Sequence, residues 1–378
     1  MLYIKLFFAF LFSLTIFSYT SFALAEDSSL TYNSPIISSY VEAFPKIGEA
    51  NPEITEQIIT YLLKLGDNKL FNPDSSNRYR EQINAIIEAG EPMKLLILGF
   101  PCKSKNTDTK VISDSFDLAD YLGLVTLQKI TEEITSIYPP GCRITIYNKE
   151  PYIEKMGLIA FANLNINPYP RESIVKYQKI LEKLIEKFPN LSLAKDFSEE
   201  YEKKYKTILE KLIQKFPYFI WAKYFPKEAI IFKELVPSDI VVFYKNDLDT
   251  IQIKNKIESI LKDSKANKKI SKNMIYKRQI KIAKMLTIER QIGTKVLREI
   301  VNNNYNDYVR LSIRGDETKI GINLIYGSTR TPWHMSLLVE SKSTKLVDRA
   351  KLEKEKSKSP YVLNAIHVDG IELKYITR

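Results

Sequence analysis

Only two histidines stand among 378 residues, and one of them, His334, lies in Thr331-Pro332-Trp333-His334, directly ahead of an apolar run. Imidazole changes charge near neutrality, so a histidine at the entry to a strand is a candidate general acid or base. A half-buried structural histidine would read the same way. Lys103 and Ser104 occur in Gly99-Phe100-Pro101-Cys102-Lys103-Ser104-Lys105-Asn106. That segment follows a buried strand, and open α/β sheets bind ligands at the carboxyl ends of their strands. An ammonium and a hydroxyl there can grip a phosphate or carboxylate, and a buried lysine can serve as base or imine former. An ordinary solvated loop is the plainer alternative. Arg310, Ser312 and Arg314 alternate, with Lys319 nearby. On one face of a strand, two guanidiniums and a hydroxyl suit a bidentate anion clamp, although an exposed sheet face would look alike. Tyr138-Pro139-Pro140-Gly141 reads by itself as a turn. No Gly-rich phosphate loop, Gly-x-Ser-x-Gly or metal-ligand spacing is present, so neither a cofactor nor a metal is expected.

The elements that must position these residues follow from periodicity. Ile54 to Leu65 carries apolar residues at helical spacing, and Tyr79 to Ala89 does the same before Gly90. Lys94 to Phe100 is nearly continuous in apolar residues and reads as a buried, central strand. A helical pattern over Phe116 to Tyr138 and an alternating strand over Arg143 to Tyr147 complete a βαβ-like unit with a parallel sheet. Lys176 to Pro189 then recurs as Lys204 to Pro217. Two copies are too few for a solenoid and read as amphipathic helices of an insertion at about 172–228. A strand is expected at Asp239 to Tyr244, and a long basic helix at Ile275 to Asn302. Tyr308 to Arg314 reads as a strand, with Lys319 to Ile325 its hairpin or sheet partner. A further strand follows His334, and the tail from Tyr361 to Tyr375 supplies two more.

The first 25 residues differ in character. Lys5 precedes the apolar run Leu6 to Phe17, and Ala23-Leu24-Ala25 fits a cleavage site, so a signal peptide over 1–25 is expected, with the mature chain, 26–378, periplasmic or secreted. Any hold on a membrane would come from that leader left uncleaved. The net charge of +11 arises from 56 basic and 45 acidic residues interleaved on helical faces, which reads as a solvated surface and not as a nucleic-acid site. Two cysteines, Cys102 and Cys142, exclude a disulfide framework and a four-cysteine zinc site, and leave one bridge or two buried thiols open.

Taken in order, these segments resemble the pyoverdine/dityrosine biosynthesis family of isonitrile synthases over roughly residues 75 to 375. Phe100-Pro101-Cys102-Lys103-Ser104-x-Asn106 with Lys110-Val111, then Asp117, Tyr138-Pro139-Pro140-Gly141, Arg290, Arg310-Leu311-Ser312-Ile313, Lys319-Ile320 and Thr331-Pro332-Trp333-His334 carry the resemblance. It implies an α/β, Rossmann-like domain with a mostly parallel or mixed sheet flanked by helices. It implies conversion of an amino acid such as tyrosine or tryptophan to its isonitrile, with ribulose 5-phosphate as carbon donor, in secondary metabolism. Lys103 and His334 would then be catalytic, and Ser104, Asn106, Arg290, Arg310, Ser312, Lys319, Thr331 and Trp333 would bind the two anionic substrates. Two motifs depart from the pattern. Tyr147-Asn148-Lys149-Glu150 stands where the family usually has Ser-Asp-Gly, and Arg314 stands at a histidine position. They keep a second reading open, that of an exported binding or effector protein that retains the fold without the reaction.

Overall fold

A computed structural model describes residues 34–47, 53–104, 107, 110–148, 171–207 and 296–378, apart from single positions within those spans. The leader, Asn106, Arg290, Arg314 and the strand expected at 239–244 lie outside the described residues. Helices α1 (Pro35–Glu42), α2 (Ile54–Lys64) and α3 (Pro73–Glu88) lead into β1 (Met93–Gly99). Then come α4 (Leu118–Ile137), β2 (Cys142–Asn148), α5 (Arg171–Ile185) and β3 (Leu191–Leu193). After a helical stretch at 296–304 follow β4 (Val309–Ser312), β5 (Ile320–Gly321), a 3-10 turn (Pro332–His334), β6 (Ser336–Glu340), β7 (Ser343–Val347), α6 (Arg349–Glu355), β8 (Val362–Val368) and β9 (Ile371–Thr377).

The fold is α/β. Five parallel strands run in the order β3-β2-β1-β4-β5, and a second, mixed sheet runs β7-β6-β9-β8. Helices flank the first sheet on both faces, which is why β1 reads as a continuous apolar run. Leu95 and Ile97 join the core built on α2 and α4, while Leu96 and Leu98 face a second cluster with Tyr201, Tyr205, Leu297 and Ile300. α4 is buried on nearly every side and joins β1 to β2 as the βαβ reading anticipates. The first copy of the duplication forms α5, which carries the chain from β2 to β3. Its Tyr177 packs on one face of the sheet, while the equivalent Tyr205 of the second copy packs on the other. Beyond 207 the second copy lies outside the described residues.

Cys102 and Cys142 are free and buried. The parallel register explains why no bridge forms. Cys142 pairs with Met93 at the start of β1, whereas Cys102 lies past its far end. Six strand rises separate Met93 from Gly99, or about 20 Å.

One close approach fixes the α2–β5 region. A Cβ on Gly321 would lie 2.5 Å from the Asp67 carbonyl oxygen and 2.7 Å from the Gly315 nitrogen, and Asn68 bonds the Gly321 backbone from the same side. Gly321→Ala is therefore expected to cost about 1–3 kcal/mol of stability through overpacking. Urea unfolding beside wild type measures it.

Candidate active site

The loop after β1 opens with a bulky residue in left-handed backbone, Phe100 at φ 51°. Side chains other than glycine seldom hold that conformation, and strain of this kind collects at functional sites. The Phe100 ring is held by Trp333, centroid to centroid 5.3 Å. Two glycines make the room: a Cβ on Gly99 would sit 3.1 Å from the Trp333 ring, and one on Gly123 would sit 3.1 Å from the Phe100 ring.

Lys103 ends fully buried. Its ammonium lies 2.7 Å from Asp117 Oδ1 and 3.1 Å from Asp120 Oδ2, and donates to the Pro332 carbonyl at 2.8 Å. An ammonium has three protons, and here three acceptors surround it. All three protons are committed to these acceptors, where the sequence reading has Lys103 grip a substrate or form an imine. Asp117 and Asp120 have a second task. Asp117 caps α4, its Oδ1 accepting from the amides of Ala119 and Asp120, while Asp120 Oδ2 accepts from the Asp117 amide. This is a capping box built from two aspartates. Burial pushes the Asp117 carboxyl above its usual range, Lys103 opposes that, and Asp120 adds to it.

Beside Lys103, the Ser104 amide donates to the Trp333 carbonyl at 2.8 Å, and Ser104 is buried. Trp333 is buried, and Thr331 and His334 are half-buried. Lys103, Ser104, Thr331, Trp333 and His334 are thus brought together at the carboxyl end of β1.

Arg310, Ser312 and Lys319 are brought together elsewhere, on the opposite face of the same sheet. They line a cavity of about 1090 Å³ with Leu98, Arg78 and Arg298. Leu98 and Gly99 are consecutive, so the cavity and the Trp333–His334 turn share one end of β1 from opposite faces. The expectation that Lys103, Arg310 and His334 open onto one pocket is therefore not met among the described residues. Strand alternation is the reason, since Arg310 shares a face with Ser312 and not with the Leu311 side that the core occupies.

Within the cavity, Lys319 is paired with Asp316 at 2.8 Å and Lys94 with Glu91 and Asp307. Arg310 differs. It donates to Asn302 Oδ1 at 3.1 Å, makes no ion pair among the described residues, and its buried Nε has no hydrogen-bond partner there. Burial pushes its guanidinium below the usual range, with Arg298 and Arg78 acting in the same direction and Tyr79 and Asp316 against it. Arg78 is held above the Tyr79 ring at 5.0 Å. Sequence reasoning missed Asp120, Arg78, Arg298 and Asn302 as members of either group. Asp117-x-x-Asp120 ahead of an apolar helix is a legible capping pattern, but its lysine partner is set by tertiary packing alone. Among the described residues, no group of three or more His, Cys, Asp and Glu is arranged to hold a metal ion.

The family model described as "Pyoverdine/dityrosine biosynthesis protein" matches residues 83–152 and 169–359. An L-tryptophan isonitrile synthase of Fischerella ambigua is 26% identical over 282 residues, 72% of this chain and 76% of that protein. An L-tyrosine isonitrile synthase of Xenorhabdus nematophila is 29% identical over 104 residues, 26% of this chain and 31% of that protein. The crystal structure of the PvcA protein from Pseudomonas aeruginosa has a TM-score of 0.53 and 17% identity, covering 86% of this chain and 99% of that one. At that identity the likeness is one of fold.

Proposed function

Because this chain belongs to the pyoverdine/dityrosine biosynthesis protein family, we propose that it is an isonitrile synthase that converts an amino acid such as tyrosine or tryptophan, with ribulose 5-phosphate as carbon donor, in secondary-metabolite biosynthesis. Relatives with that activity in their names support the reaction class. The observation that carries the substrate chemistry is Arg310. A half-buried guanidinium beside two further arginines, without a carboxylate of its own among the described residues, is unfavourable until an anion joins it. A sugar phosphate and an amino-acid carboxylate are both anions, and phosphate or carboxylate matches the guanidinium fork. The amino-acid nitrogen attacks the donor ketone after losing a proton, and the resulting carbinolamine loses water. We assign those proton transfers to His334, which lies at the same end of β1 as the cavity but on the opposite face, so the substrate must reach across that end of the sheet.

Arg310→Ala is expected to weaken binding of the sugar phosphate about 10- to 150-fold, the worth of a charge-assisted contact of about 1.5–3 kcal/mol. Isothermal titration of wild type and variant with ribulose 5-phosphate checks it. Equal affinity would remove the cavity from the substrate path.

A second reading is favoured by one observation. At the end of β2, where the family usually has Ser-Asp-Gly, Tyr147 is buried in an aromatic cluster with Phe197 and Tyr305, and the Asn148 amide donates to Gln178. Those side chains serve packing, as suits an exported binding protein that kept the fold and lost the reaction. Export itself rests on the leader, and the mature chain is expected to begin at Glu26. Amino-terminal sequencing of native protein reads this directly, and an intact Met1 contradicts it.

A further inference from the structure

We propose that Asp117, Asp120 and Lys103 are positioning residues for His334, a role that rests on the isonitrile synthase reading and on His334 as its acid–base group. The connection runs through two backbone carbonyls. Lys103 Nζ donates to the Pro332 oxygen and the Ser104 amide to the Trp333 oxygen, both at 2.8 Å. Two adjacent residues of the β1 exit loop thus hold the two residues that precede His334. The turn is closed by its own bonds, His334 amide to Thr331 oxygen and Met335 amide to Pro332 oxygen, each 3.2 Å. Further along, Ile112 donates to Ser336 Oγ at 2.8 Å, and Arg349 reaches the Thr107 carbonyl. The loop and the His334 segment are therefore joined on both sides of the histidine.

Helix capping does not account for this arrangement. A serine or threonine at the cap satisfies the first-turn amides for about 1 kcal/mol without burying any charge. Here one ammonium and two carboxylates are fully buried, and the desolvation of buried ions commonly exceeds their mutual attraction. Asp117 Oδ2 is left without a hydrogen-bond partner among the described residues, and Asp120 lies against the buried Tyr177 hydroxyl. Such a cluster contributes little net stability over an apolar one. What it supplies is direction, an ammonium fixed at a single point from which it holds the Pro332 carbonyl. A strained Phe100, its ring tilted against Trp333, tightens the same turn.

The test uses the full-length chain with Asp120→Asn, Asp117→Asn and Lys103→Met, each shown to be folded by circular dichroism. The chain has two histidines, and the second, His367, lies exposed on β8, so imidazole nitrogen–proton spectra give one signal set to watch and one as control. The expected result is that the His334 signals move or multiply while those of His367 stay. With amino acid and ribulose 5-phosphate, kcat falls on the order of 10²-fold, as for a displacement of about 1 Å, while KM stays near wild type. His334 signals and kcat matching wild type in folded Asp120→Asn would overturn the proposal, and so would a rise in KM with kcat retained. If Lys103→Met does not fold, the two asparagine variants decide. If wild type forms no isonitrile, the reaction reading fails, and the imidazole spectra alone decide whether the cluster positions His334.

Discussion

Isonitrile formation by His334→Ala is expected to fall by about 10²–10⁴-fold against wild type, the usual worth of a general acid–base group. The amine must lose a proton before it attacks the ketone, and the carbinolamine must gain one on its leaving hydroxyl. Arg310 holds its charge at ordinary pH and serves neither step. Lys103 is enclosed by three acceptors. His334 is half-buried on a turn that its neighbours fix, which combines access with a defined direction. Substrate binding should persist, since the Arg310 cavity on the other face of the sheet is untouched. Single-turnover kinetics and titration calorimetry separate the two effects, and near-normal turnover in the variant would remove the acid–base role.

Lys103→Met is expected to lower stability by about 3–5 kcal/mol, the cost of removing one partner from a buried charge cluster. Asp117 and Asp120 would then face each other with no cation. The loss depends on pH with a definite sign. Burial already raises the Asp117 carboxyl, and removing Lys103 takes away the charge that opposes that shift. A carboxyl raised in the folded state binds protons more tightly there than in the unfolded chain, so stability falls as pH rises from the ordinary carboxylate value through the raised one. Both proteins lose stability alike as pH rises toward about 8; wild type stops losing it there, where its Asp117 ionises, while Lys103→Met goes on, so the deficit should be level below about 8 and grow above it. Denaturant unfolding of both proteins across that range measures it. A pH-independent deficit would mean that the cluster is not charged as described.

The parts of the fold that the sequence disclosed are those whose burial is uniform or strictly periodic. β1 announced itself as an unbroken apolar run because helices cover both its faces. α4 and β2 followed from a long helical pattern, the Pro139-Pro140-Gly141 break and alternation. α1 was not legible, because Pro35 to Glu42 buries only Ile37 and Tyr40. The first turns of α3 were not legible either, because Pro73-Asp74-Ser75-Ser76-Asn77 has turn composition; Ser75 and Arg78 anchor that end on the Glu317 carbonyl. For the site, the family motifs hold Lys103, Arg310 and His334, and alternation puts Arg310 and Ser312 on one face of β4. What spacing could not disclose was the face itself. Lys103 faces two carboxylates buried beneath α4, and Arg310 faces a cavity that also takes Arg78 and Arg298 from distant segments. Such meetings depend on which helices close over which side of the sheet, and no local pattern records that.

Mass spectrometry of the products of purified wild-type protein, incubated with ribulose 5-phosphate and a panel of amino acids that includes tyrosine and tryptophan, reads the reaction directly. The isonitrile synthase reading predicts a new product that retains the amino-acid nitrogen and carries one added carbon, labelled when the sugar phosphate is labelled. Absence of that product with every amino acid in the panel, from protein that is folded and binds neither substrate, would contradict it and favour the non-catalytic binding protein.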